Sequence, residues 1–249
     1  MNTSILIALL LILFFSTLVR STFGFGDALV AMPLLVLVVE LNLARAIVAL
    51  VSITVALVVL LRDWRKVRGS GVWHLVVSAL IGIPIGVYGV ASFDKRIVKL
   101  LLGVIITGYS TFCLLRPRLP VLKSERLAWA FGFVSGVLGG AYNTAGPPLV
   151  IYGTARRWNA QDFRATLQGA FLPISLCIIF WHAQADLVTN AALYCFFLSL
   201  PLVLIAVMVG RWLNRRIQGE RFARYVHGLL IMIGVALLVR SIHELAITP

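Results

Sequence analysis

Apolar runs long enough to cross a lipid bilayer recur along the whole chain, and no other feature constrains its fold as tightly. About 17 to 20 apolar residues suffice to span a hydrocarbon core of roughly 30 Å. Residues 5–19, 44–61, 72–91, 97–115, 165–181, 191–209 and 222–239 each read as such a helix, separated by short polar gaps. Composition agrees: the 249 residues are 61% hydrophobic and 12% charged, with a mean hydropathy of +1.00. A soluble domain is closer to half apolar and a quarter charged. An all-α polytopic membrane protein is therefore predicted, of about 8 to 10 helical segments, and no stretch remains for a separate soluble catalytic domain. The segment MNTSILIALLLILFFSTLVR lacks a basic leading region and a small-residue cleavage pattern, so it reads as a retained first helix.

Three apolar runs are too short to cross: 28–39, 127–138 and 147–153. A twelve-residue helix is only about 18 Å long. These short pieces flank two stretches rich in poor helix formers, GFGDALVAMPLLV from Gly24 and GGAYNTAGPPLVI from Gly139. Aligned, they pair Gly24 with Gly139, Pro33 with Pro148 and Leu34 with Leu149. An Arg-Ala pair opens the next helix in each half (Arg45-Ala46, Arg164-Ala165), and each half closes on an apolar helix ending in Arg (Arg116, Arg240). Two repeats are expected, 1–120 and 121–249, integrated in one membrane domain, each with a broken or re-entrant helix pair followed by three full spans.

The net charge of +13 sits mainly in short loops between apolar runs, where it orients the chain in the membrane rather than binding nucleic acid. The loop RDWRKVR (62–68) is strongly basic, whereas its counterpart HAQADLVTN (182–190) has no Lys or Arg. Placing 62–68, 116–126, 156–164 and 211–224 in the cytoplasm gathers most of the 22 basic residues there. The repeats are then inverted, although Lys95, Arg96 and Lys99 in FDKRIVK fall on the outer side. Each break becomes the tip of a hairpin, one entering from each face, and the tips approach near the midplane.

Non-helical backbone at that depth is tolerated only beside protein or a polar cavity, so the breaks point to a site. Pro147 and Pro148 suit the first turn of a helix, and Pro33 is read the same way in the first half. Free N–H groups and the positive end of a short helix favour an anion, with Asn143 and Thr144 as added donors. The predicted substrate-binding set is Gly24, Gly26, Gly139, Gly140, Asn143, Thr144, Gly146, Arg20 and Gln168, with Asp27 as a carrier of a coupling proton or a structural partner of Arg20. Gly132, Gly136 and Gly140 also form a small-residue stripe suited to close helix packing. Tyr142, His74 and His182 are weaker candidates, and Trp64, Trp73 and Trp212 fit an interfacial belt. Cys113, Cys177 and Cys195 read as small core residues without disulfides. The chain carries no metal-ligand cluster, nucleotide-binding loop or nucleophile elbow: HELAI lacks a second His, and GFVSG has the wrong spacing. No enzyme activity, cofactor or metal is expected.

GFGDALVAMPLL and GFVSGVLGGAYNTAGPPLVIY resemble the paired signature of the sulfite exporter TauE/SafE family. The likeness extends over essentially the whole chain, through the two-repeat layout and the short basic loops. It implies a multi-pass transporter of the cell membrane, here a bacterial inner membrane, moving sulfite, a sulfonate or a related organosulfonate. Many members carry a further glycine where this chain has Asp27. Secondary transport is expected, with the bilayer and a small anion as partners and a homodimer left open. Transport of another small organic anion and a non-transporting scaffold subunit are the alternatives.

Overall fold

The computed structural model describes residues 3–63, 72–115, 121–122, 124–158, 160–216 and 219–247. Among them are ten helices: α1 (Thr3–Phe23), α2 (Asp27–Leu35), α3 (Leu41–Asp63), α4 (Trp73–Ser92), α5 (Lys95–Leu115), α6 (Arg126–Tyr142), α7 (Gly146–Ala155), α8 (Ala160–Gln184), α9 (Asn190–Arg216) and α10 (Gly219–Ile247). Six are long and apolar enough to cross a membrane: α1, α3, α4, α5, α9 and α10. Large apolar side chains such as Leu11, Ile81, Phe197, Met208 and Met232 lie exposed on these helices. That surface is stable against lipid tails and costly against water. The protein is a multi-pass membrane protein.

The pairing of helices is cross-woven between the two halves. α1 lies along α9, α4 along α6, α3 along α8, and α5 along α10, while α2 folds back on α1 and α7 on α6. Glycine makes the tightest of these contacts. On α6, a Cβ at Gly132, Gly136 or Gly140 would collide with backbone of α4 at Leu75, Ala79 and Ile83. On α4, Gly82 and Gly86 meet the carbonyls of Phe133 and Val137 in the same way. The predicted stripe is therefore a packing seam, and dispersion between closely approaching backbones holds it where lipid supplies no hydrophobic drive.

That seam explains one departure from the sequence reading. α6 continues through Gly139 and Gly140 to Tyr142, because contact with α4 outweighs the roughly 1 kcal/mol helix penalty of each glycine. The second departure concerns Pro33. It lies inside α2, not at its start, which is Asp27. Pro33 removes an interior N–H and leaves the carbonyl one turn earlier unmatched. Pro147 and Pro148 do lie in the first turn of α7, where the N–H groups have no intrahelical partner in any case.

Cys195 is buried, Cys113 and Cys177 are partly buried, and all three are free thiols. Trp73 and Trp212 are exposed near helix ends; Trp64 lies outside the described residues. At the surface, Lys95 Nζ donates to Glu40 Oε1 at 2.6 Å, tying the α2–α3 connection to the start of α5. That hydrogen bond and the lysine's charge hold the Glu40 carboxyl below its ordinary range.

Candidate functional site

Both breaks are made by the same backbone device. α1 ends where Gly24, at φ 89°, donates its N–H to Arg20 O at 2.6 Å. α6 ends where Asn143, at φ 58°, donates its N–H to Gly139 O at 2.8 Å. A left-handed residue bonded back one turn terminates a helix, and Gly and Asn are the residues that adopt that conformation with least strain. Two residues follow each cap before the next short helix begins, at Asp27 and at Gly146. Gly24 thus plays the part of Asn143, and Asp27 that of Gly146. The same separation joins Arg45-Ala46 to Arg164-Ala165. The structure shifts the pairing of Gly24 with Gly139 and of Pro33 with Pro148 by about one helical turn.

The two breaks abut. The ring of Phe25 lies beside Gly146, where an added Cβ would be 3.7 Å from Cδ2. Between them is a cavity of about 30 Å3, space for one or two waters. The first break lines it with Gly26, Asp27, Ala28 and Leu29, and the second with Asn143, Thr144, Ala145 and Gly146. Arg20 of α1, Ala49 and Ser52 of α3, and Phe171 and Ser175 of α8 complete most of the wall.

Among the described residues, Arg20 and Asp27 are the charged side chains on this wall. They are 3% and 8% exposed, and Arg20 Nη1 donates to Asp27 Oδ2 at 2.5 Å. Ser52 Oγ donates to the same oxygen at 2.6 Å. The guanidinium also sits over the Phe171 ring, 5.4 Å from its centroid, a cation–π contact that strengthens away from water. Arg20 Nε and Nη2 have no hydrogen-bond partner among the described residues. Guanidinium donors placed beside a cavity in this way are chemically suited to an anionic acceptor.

The short helices contribute unequally. The first-turn N–H groups of α2, on Asp27, Ala28 and Leu29, have no partner within the helix and belong to residues that line the cavity. In α7 the corresponding turn contains Pro147 and Pro148, which have no N–H to give. The anion-favouring helix start is α2 rather than α7.

Six of the expected site residues therefore come together: Arg20, Gly26, Asp27, Asn143, Thr144 and Gly146. Gly24 caps α1 behind the cavity, Gly139 packs against Ile178 and Ala145, and Gly140 is set against α4. The side chain of Gln168 lies outside the described residues. Asn143 and Thr144 hold backbone in this structure: Asn143 Nδ2 donates to Arg45 O at 2.8 Å, and Thr144 Oγ1 to Leu138 O at 3.3 Å. Tyr142 donates to Val98 O at 2.9 Å, His182 Nε2 lies 3.3 Å from Gly140 O, and His74 sits between Trp73 and Trp129.

Sequence reading missed Ser52, Phe171 and the structural part of Arg45. Ser52 and Phe171 carry no pattern of their own inside apolar helices. Arg45 does carry a signal, since a cation beside a long apolar run is itself unusual. It is 1% exposed, and its Nη2 donates to Gly140 O at 3.0 Å. No carboxylate among the described residues pairs with it. The charge is instead set against the carbonyl end of α6, where the helix dipole is negative.

An all-helical membrane protein with a charged cavity between two helix breaks has the build of a small-solute transporter. Residues 9–237 match the family model described as Sulfite exporter TauE/SafE, and the chain belongs to that family of membrane transporters, which are not enzymes. It is 25% identical over 239 residues, 91% of each chain, to a Cupriavidus necator protein named "Probable sulfite/organosulfonate exporter TauE". No solved structure matches the chain.

Proposed function

We propose that this protein is a secondary transporter of a small sulfur oxyanion, sulfite or a sulfonate, bound between the two helix breaks. The observation that carries the reading is Arg20. Its guanidinium is buried beside a cavity shared by both breaks, with Nε and Nη2 unpartnered. A sulfonate head offers three acceptor oxygens, which suit those donors together with the first-turn N–H groups of α2. The name of the Cupriavidus relative points to the same substrate class.

In this reading the halves are inverted repeats, 1–120 and 121–249, and the site lies at the midplane where their hairpin tips meet. The cross-woven pairing of α1 with α9 and of α6 with α4 is what such a repeat produces. The cavity between the breaks is then the place a substrate would occupy. Rocking of one repeat against the other would open it to alternate faces.

The test is uptake of labelled sulfite, methanesulfonate and taurine into proteoliposomes of the purified chain. The wild type is expected to move at least one of them above empty liposomes. Arg20→Ala should lower that flux about tenfold to a hundredfold, the loss of a charge-assisted hydrogen bond. Equal flux in wild type and Arg20→Ala would overturn the site.

A further inference from the structure

Resting on that anion site, we infer that Asp27 is a resident anion which the substrate replaces on Arg20, and that each monoanion therefore crosses together with one proton carried by Asp27. Asp27 Oδ2 now occupies Arg20 Nη1 at 2.5 Å, at the first position of α2, where the helix N-terminus also favours negative charge. A sulfonate entering the cavity needs those same donors. With Asp27 still ionised, two anions would share one guanidinium in a site walled by Leu29, Phe171, Ile174 and Ile178, and the uncompensated charge would meet a low dielectric.

A proton resolves the conflict. When the site faces one compartment, Asp27 takes a proton from water and releases Arg20 Nη1, and the sulfonate oxygens accept from Nη1, Nη2 and Nε. The pair Arg20 and Asp27 is neutral before binding, and the pair Arg20 and sulfonate is neutral after it. On the other face the anion leaves, Asp27 returns its proton to water, and the ion pair re-forms. Ser52 serves both states, because a hydroxyl donates to the carboxylate, as it does now at 2.6 Å, and accepts from the carboxylic acid.

The groups around Asp27 leave the proton few other places to go. α1 presents Arg20, α3 presents Ser52, and α8 presents Phe171 and Ser175 on the same wall. The second break presents Asn143 and Thr144. On α5 and α10, which also pack against α2, Tyr109 and His227 face each other with ring centroids 6.0 Å apart. Among the described residues, the hydrogen-bond partners of the Asp27 carboxylate are Arg20 and Ser52.

Methanesulfonate decides the matter, because it is a permanent monoanion and brings no proton of its own. Proteoliposomes of the full chain are loaded with a pH dye, and the membrane potential is clamped with potassium and valinomycin. An inward methanesulfonate gradient is expected to acidify the lumen at about one proton per anion, and an inward proton gradient to accumulate methanesulfonate. Asp27→Asn is expected to bring the proton-to-anion ratio to zero, and Ser52→Ala to keep the ratio near one at a lower rate. Methanesulfonate flux by the wild type without acidification, or accumulation driven by sodium at constant pH, would overturn the proton step and leave anion transport standing. An Asp27→Asn variant that still acidifies would overturn the assignment to Asp27. Absence of flux for every sulfur oxyanion would instead overturn the proposed function.

Discussion

Asn143 combines two roles that a single substitution can separate. Its backbone is left-handed at φ 58° and its amide ties the second break to Arg45 O. Alanine in that conformation costs about 1–2 kcal/mol, and glycine avoids the penalty. Thermal unfolding in detergent should rank wild type and Asn143→Gly above Asn143→Ala. Methanesulfonate flux should follow the same order if the residue acts by shaping the break. Equal loss of flux in both variants would instead make the amide the working group. The donor role expected from sequence was chemically sound, but an amide inside a membrane bonds the nearest free carbonyl. Which carbonyl that is depends on where α3 lies, and no local pattern carries that.

At the scale of elements, the α4–α6 seam and the breaks depend on different glycines. Gly136→Ala would drive a methyl group into the backbone at Ala79, an overpacking expected to cost about 1–3 kcal/mol. Gly108 on α5 has open space around its Cα, so Gly108→Ala should be neutral or stabilising by up to about 1 kcal/mol. Detergent melting curves of the two variants provide the comparison, and equal midpoints would refute the seam. The two breaks themselves were legible, because Gly24, Gly26, Asn143, Pro147 and Pro148 are punctuation that an apolar helix does not tolerate without cause. Their register was not. Pro33 and Pro148 look alike in sequence, yet one sits within a helix and the other in a first turn. A proline excludes itself from most interior positions without announcing which end of a helix it marks.

For the whole molecule, the proposed hairpin at the second break makes a prediction about sidedness. In a background with Cys113, Cys177 and Cys195 replaced by alanine or serine, Ser124→Cys and Asp186→Cys should label from opposite sides of the membrane with an impermeant maleimide. Ser124 belongs to a loop assigned to the cytoplasm, and Asp186 lies in the nearly charge-free connection between α8 and α9. Labelling of both from the same side would exclude that hairpin. The cavity shows an asymmetry that the repeats alone would hide. The first half supplies Arg20, Asp27 and Ser52, while the positions playing the same parts in the second half hold Gly139, Gly146 and Phe171. One half carries the charge and the other the neutral wall, so the proposed anion site is single rather than double.

The sequence by itself determined that the chain lives in a membrane, that it forms about 8 to 10 helical segments, that two of its helical elements are broken, and which family it resembles. Each of these follows from length, hydropathy and residue type read along the chain, and each is set by local contact with lipid or by backbone conformation. The tertiary structure decided what the breaks surround. It brought Arg20 to Asp27 and Ser52, set Phe171 beneath the guanidinium, turned Asn143 towards Arg45, and assigned Gly136 and Gly140 to packing. Those pairings join residues far apart in the chain. They arise because a buried charge or donor in an apolar interior must take whichever partner the packed helices bring within reach.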